Sequence, residues 1–177
     1  MIPETPQNNQ MLSRIMHSTL IGLPSPSALR QDKFPGVRIG SDPVMGDHCI
    51  IFCNVFIGNQ FRCGNNVLIR DNTAIGDAVT IGNDSFIDTD VVIANSVVIG
   101  DAVKISRSTR IDNGVVIGNN VQFLSETDTS LVPLRRSRGI ILEDGCIIGN
   151  NAVISPGVCV GSGACVEADA VVTGDIL

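Results

Sequence analysis

The sequence predicts an all-β fold, a parallel β-helix solenoid whose coils each consist of three six-residue units. Three observations carry the prediction. From Ile39 every sixth residue is apolar as far as Phe123, fifteen positions in succession. Wrapped at eighteen residues, the position after each apolar residue resolves into three columns of different chemistry. Hydrophobic residues make up 44% of the chain but aromatics only 3%, with six Phe and no Trp or Tyr, so the core has to be a lattice of aliphatic side chains.

The 177 residues suit one domain with an arm. Residues 1–38 lie outside the repeat and form that arm. Leu12, Ile15, Met16 and Thr19 fall at helical spacing, and Pro24, Pro26 and Pro35 punctuate the stretch between them and the first hexad. This predicts a short N-terminal helical cap over the first coil, because an open solenoid end would expose apolar bore and unpaired strand groups.

Residues 39–177 carry the repeat. Four residues after each apolar position stands a second small or β-branched one, such as Val55, Val67, Thr73 and Val79. Spacings of two and four fit a short strand that points alternate side chains inward and then turns a corner. A helical period of 3.6 cannot hold a six-residue phase for so long. One column of the wrap reads Gly46, Gly64, Gly82, Gly100, Gly118; the second Gly40, Gly58, Gly76, Ala94, Asp112; the third Phe52, Arg70, Asp88, Ser106, Leu124. Three hexads therefore make one triangular coil with three unlike corners. Coils stack about 4.8 Å apart, and each buried Ile contributes roughly 1.5–3 kcal/mol. So narrow a bore is expected to exclude large rings. The phase slips across 124–141, which predicts one extruded loop, and resumes at Leu142, Ile148, Ile154, Val160, Val166 and Val172.

Charge and composition narrow the partners. A net charge of −6 argues against nucleic acid or an acidic membrane surface as partner. A mean hydropathy of +0.28 excludes a disordered chain. The six Cys form no CxxC pair and read as free buried thiols. The start lacks the pattern of an export signal, and no apolar run approaches the roughly 20 residues of a membrane span. The expectation is a soluble cytoplasmic protein with a small-molecule or protein partner.

Repeats such as Ile75-Gly76-Asp77-Ala78-Val79-Thr80 and Ile117-Gly118-Asn119-Asn120-Val121-Gln122 resemble those of the hexapeptide-repeat acyltransferases. The resemblance spans residues 39–177 and implies a left-handed parallel β-helix, a homotrimer, and acyl-CoA bound where subunits meet. More locally, the run from Cys63-Gly64-Asn65-Asn66-Val67 to Thr73, the break at 124–141, and Ile154-Ser155-Pro156-Gly157-Val158 resemble the branch that N-acetylates sugars on nucleotide carriers for polysaccharide biosynthesis. That branch implies acetyl-CoA as co-substrate and a sugar or nucleotide-sugar acceptor. It also implies a Pro-rich segment or closing helix beyond Leu177.

Acetyl transfer from a thioester needs a deprotonated nucleophile and a stabilised oxyanion, and many members of the superfamily use a His as base. Of the two His, His17 falls on the predicted cap. His48 falls at a corner, stacked in the wrap with Asn66, Asp84, Ala102 and Asn120, and is the candidate base. Asn65 and Asn66 stand where the family often carries His, and Ser108 marks a similar departure. An Asn cannot take up a proton at neutral pH, but it can orient the nucleophile or donate to an oxyanion. Asn and Asp are also what left-handed turns demand, so these positions equally fit a structural role.

The column without Gly offers Arg70, Asp88 and Arg107, which with Asp84 are candidates to bind the acceptor and its diphosphate; a solvated salt-bridge ridge is the alternative. Arg135, Arg136 and Arg138, a quarter of the basic residues, crowd the predicted loop and are candidates for the phosphates of the coenzyme. They could equally offset Glu126, Asp128, Glu143 and Asp144. By the resemblance, Ser155, Gly157 and Gly161 supply backbone amides and room for pantetheine. A zinc site of three His, as in carbonic anhydrases of related fold, fails by count, and no metal is expected. The competing reading is a non-catalytic trimeric scaffold or ligand-binding protein.

Overall fold

The structure, a computed structural model, describes residues 18–24, 29, 35–125 and 139–177. Within them the chain is a parallel β-solenoid. Its strands, nearly all two residues long, run from β1 (Leu20–Leu23) to β22 (Val171–Val172). They assemble into three sheets of eight, seven and seven strands. A two-residue strand is far too short to stand alone. Interior strands hold because each pairs on both sides at fixed register, Phe86 with Lys104, Val92 with Arg110 and Val98 with Val116, eighteen residues on through these coils.

After Phe123 the step lengthens from eighteen to thirty-one. Ile111 pairs with Leu142, Ile117 with Ile148 and Phe123 with Ile154, and all three sheets continue unbroken. The lattice holds Leu124, whose amide donates to the Ile154 carbonyl at 2.9 Å, and takes the chain back at Ile140, whose side chain is buried. Residues 126–138 between them, including Arg135, Arg136 and Arg138, lie outside the described residues.

Each hexad sends two side chains inward, such as Ile75 and Val79 or Ile99 and Val103, and these form one continuous core. The bore also takes rings, contrary to expectation. Phe61 and Phe123 are fully buried in it. Pro43, a compact side chain, occupies the place of Phe61 one coil earlier, and Phe123 stands beside the coil from which the chain departs.

At the N-terminal end, the described part of the arm is a strand. Leu20–Leu23 adds to Ile50–Phe52, with Leu20 N–H donating to the Cys49 carbonyl and Cys53 N–H to the Leu23 carbonyl, both at 2.8 Å. A strand satisfies the open edge directly, which a helix cannot do. The expected helical positions Leu12, Ile15 and Met16, and His17 with them, lie outside the described residues. No described helix is long and apolar enough to cross a membrane.

The corners explain the columns of the sequence. Every sixth residue along the turns has φ near +57°, among them His48, Asn66, Asp84 and Asn120. Corner one follows Arg38–Ile39 and its stacked strands, corner two follows Val44–Met45, and corner three follows Ile50–Phe52. At corners one and two a carboxamide or carboxylate oxygen accepts a backbone N–H from the coil before. Asp47 N–H donates to Asn65 Oδ1 at 2.8 Å, Asn65 to Asn83 at 2.9 Å and Asp101 to Asn119 at 2.8 Å. The glycine preceding each of these three donors makes room for that oxygen, whereas at corner one Ala94 and Asp112 stand in the same place before the donors Asn95 and Asn113. A Cβ on Gly100 would lie 2.5 Å from Asn119 Oδ1 and 2.8 Å from the carbonyl carbon of Gly118.

Gly100→Ala should therefore destabilise the fold by about 1–3 kcal/mol, the range for overpacking a close-packed site. Gly36→Ala, with nothing within 4 Å of the added methyl, should change little. Urea denaturation of both variants reads the difference, and equal stability would remove the steric account of the glycine column.

Candidate functional site

The third corner does not carry this ladder. Its equivalent positions hold Asp71, Thr89, Arg107, Ser125 and Pro156, with Arg70, Asp88 and Ser106 in place of the glycines. Polar groups turn inward here: Asp71, Thr73, Thr89, Ser106 and Thr109 are all buried. Buried polar side chains need partners, and this corner supplies several. Thr89 Oγ1 donates to the Asp71 carbonyl at 2.9 Å, Thr73 Oγ1 to the Asp88 carbonyl at 3.2 Å and Thr109 Oγ1 to the Ser106 carbonyl at 2.7 Å. Arg70 Nη1 donates to Asp88 Oδ1 at 3.1 Å, and the same oxygen accepts Thr89 N–H at 2.8 Å. The Arg70–Asp88 pair thus ties two coils, with both side chains still partly open to solvent.

Where the chain leaves the lattice and returns, this corner opens into a shallow, solvent-open cleft lined by Ser106, Arg107, Leu124, Ser125, Gly139 and Pro156 among others. Arg107 is exposed at its edge. Gly139 rides directly over the turn below, where a Cβ would collide with the Ser108 carbonyl, so only glycine fits this return. Arg107 is the cation that sequence reasoning placed here. Ser125, Gly139 and Pro156 are additions from the structure, although the break itself falls in the third column of the wrap and marks the same corner.

The remaining candidates separate. His48, Asn65, Asn66 and Asp84 lie at corner two. His48, exposed, heads a column of left-handed residues in which Asn66 Nδ2 donates to Asp84 Oδ1 at 2.8 Å. Asn65 is committed to the ladder, its Oδ1 accepting from Asp47 and its amide donating to Asn83 Oδ1. The His48 turn is held by the arm: its N–H donates to Ser18 Oγ at 3.1 Å, while Ser18 Oγ donates to Asp47 Oδ1 at 3.2 Å. Thr19 Oγ1 adds a bond to the Gly46 carbonyl at 2.9 Å. No sequence spacing announces this clasp, which joins residues about thirty positions apart.

Ser155 and Gly157 lie at corner three, one coil above the cleft's Ser125, and Gly161 at corner one. The reading of exposed amides does not hold for Ser155 and Gly161. Ser155 N–H donates to the Val172 carbonyl at 2.9 Å and Gly161 N–H to the Ile176 carbonyl at 2.6 Å, so interstrand bonding has already taken these donors. Among the described residues no three His, Cys, Asp or Glu side chains converge as a metal site.

No family model matches the sequence, and no curated protein matches it. Solved structures do match. A protein from Desulfovibrio desulfuricans, provisionally assigned as an acetyltransferase, is 16% identical with a TM-score of 0.52; the match covers 96% of this chain and 28% of that one. LpxA from Acinetobacter baumannii is 16% identical, TM-score 0.49, over 92% of this chain and 68% of that one. A mutant of AntD, an N-acyltransferase from Bacillus cereus in complex with dTDP-4-amino-4,6-dideoxyglucose and coenzyme A, is 17% identical, TM-score 0.37, over 100% and 83%. At such identity the comparison shows a shared fold.

The two members of the corner-three ion pair should respond differently to truncation. Asp88→Ala leaves the buried Thr89 N–H without its acceptor and should cost about 1–3 kcal/mol. Arg70→Ala removes only a half-exposed ion pair and should cost about 0–1 kcal/mol. Chemical denaturation midpoints order the two, and the reverse order would show that the pair itself holds the corner.

Proposed function

We propose that the chain is an acyl-CoA-dependent acetyltransferase, a left-handed hexapeptide-repeat β-helix that works in the cytoplasm as a homotrimer on the amine or hydroxyl of a sugar or nucleotide-linked sugar. The observation that carries this reading is the third corner. Two corners are consumed by the lattice, whereas this one drops the glycine–carboxamide ladder, buries polar side chains, presents Arg107 at a cleft and is where the long excursion begins and ends. The fold and the repeat resemblance supply the reaction class.

In this reading the His48 imidazole takes the proton as the acceptor's amine or hydroxyl attacks the thioester carbonyl, and the C–S bond then breaks to release coenzyme A. The Asn66 carboxamide, steadied by Asp84, orients the acceptor. Arg107, with the Arg70–Asp88 pair on the coils below it at the same corner, meets the acceptor's diphosphate. Arg135, Arg136 and Arg138 meet the phosphates of acetyl-CoA, and Gly157 with the Ser155 side chain borders its pantetheine arm. His48 and Arg107 belong to different corners of one chain, so in this reading the cleft that contains both lies between two subunits, and the trimer follows the repeat resemblance.

Thiol release from acetyl-CoA with amino-sugar nucleotides tests the reading. His48→Ala should lower kcat by roughly 10²–10⁴-fold, the usual contribution of a general base, while Arg107→Ala should raise the KM for the acceptor with kcat little changed. Full activity in both His48→Ala and Asn66→Ala would eliminate this site. Absence of turnover with every acyl-CoA would leave the non-catalytic, ligand-binding scaffold.

A further inference from the structure

The sequence reading treats the cysteines as separate buried thiols, and for Cys53 and Cys146 the structure agrees. Cys49 and Cys63 are different. They lie fourteen positions apart, on either side of corner two in the first coils, and the fold brings their sulfurs to 3.8 Å. Both side chains belong to the bore, with Cys49 at 1% exposure and Cys63 at 8%. Over this edge lie the arm's clasp of Ser18 and Thr19 on the Gly46–His48 turn and the strand Leu20–Leu23, whose Leu20 N–H donates to the Cys49 carbonyl.

We propose that Cys49 and Cys63 are a redox-active dithiol, a modification site that a small uncharged peroxide converts to an intramolecular disulfide. This does not depend on the acetyltransferase reading.

The electrostatics agree with the geometry. The hydrogen bond between the two sulfurs lowers the Cys49 thiol to about 6 and raises its partner's well above the ordinary range. Cys146, buried in the same bore without a second thiol, is instead pushed up to about 11 by burial. In the neutral pair the Gly64 carbonyl, 3.2 Å from Cys49 Sγ, accepts the Cys49 proton.

The reaction balances in two steps. The Cys49 thiolate attacks one oxygen of hydrogen peroxide; an S–O bond forms, the O–O bond breaks, and hydroxide leaves and is protonated to water. Cys63 sulfur then attacks Cys49 Sγ; the S–S bond forms, the S–O bond breaks, and the departing hydroxide takes the Cys63 proton as a second water. Two thiols are oxidised by two electrons and the peroxide is reduced. The sulfurs have to close from 3.8 Å to the roughly 2.05 Å of a disulfide. The movement falls on the turn that carries His48, the residue adjoining Cys49.

The experiment uses the full chain carrying Cys165→Ser, so that the exposed thiol does not compete. Hydrogen peroxide is added in slight excess and the product is mapped by non-reducing peptide mass spectrometry. The expected product has lost two hydrogens and two alkylatable thiols, yields a cross-linked peptide joining Cys49 to Cys63, and reverts with dithiothreitol. Adding Cys63→Ser should abolish the cross-link and leave Cys49 as a sulfenic acid that dimedone traps. Recovery of both cysteines as free thiols while other residues oxidise would overturn the proposal, as would a disulfide joining either one to Cys53, Cys146 or Cys159. The mapping decides the matter even if the double variant does not fold.

Discussion

The molecule depends on one close fit, a carboxamide or carboxylate oxygen seated against a glycine of the coil below. Strands of two residues have almost no independent stability, so cohesion comes from repetition and requires every coil to have the same perimeter. The Asx ladder fixes that perimeter at two of three corners, over glycine from Gly46 to Gly118 at corner two and over glycine, Ala94 and Asp112 at corner one, and also satisfies the backbone donors there. It further constrains charge. In the ladders Asn59–Asp77–Asn95–Asn113–Asp144 and Asn65–Asn83–Asp101–Asn119–Asn150, no two aspartates are neighbours. Like charges one coil apart, about 4.8 Å, would repel with little water between them.

The third corner is free of that fit, and its side chains follow different rules. Asp71, Thr89 and Ser106 turn inward, Thr89 Oγ1 bonding across coils to the Asp71 carbonyl and Thr109 Oγ1 bonding within its own coil to the Ser106 carbonyl, so the corner is held by side-chain bonds that differ from coil to coil. Such a corner can hold Arg107 beside a cleft, which a strict ladder would not permit. The clasp of Ser18 on the Asp47–His48 turn shows a second way to individualise a coil, by tying the terminal one to the arm.

The fold was legible because the lattice leaves its period in the chain. Six residues set the strand and corner, eighteen set the coil, and the Gly columns mark the corners where an oxygen has to fit. The column lacking Gly pointed to the exceptional corner, and the break at 124–141 fell in it. What stayed hidden depends on proximity across coils, which no local period encodes. The sulfurs of Cys49 and Cys63 meet across a corner, at a separation of fourteen that matches neither six nor eighteen. The amides of Ser155 and Gly161 read as open donors until the next strand and the Ile176 carbonyl occupy them. The two buried rings escape a reading from bore width alone, which takes the coils as uniform, whereas the residue stacked on Phe61 one coil earlier is Pro43, not an Ile or Val.

The longer register step has a consequence for how such a protein changes over time. The extra thirteen residues leave and rejoin at one corner, and the strands on either side still pair Ile117 with Ile148 and Phe123 with Ile154 as if nothing intervened. The excursion is therefore a graft on an indifferent stem. Lengthening it adds only a closure entropy that grows with the logarithm of its size, about 0.6 kcal/mol per doubling. Heritable variation can accumulate there while the prism remains as it was, so the shape of the molecule and the chemistry it offers are free to evolve at different rates.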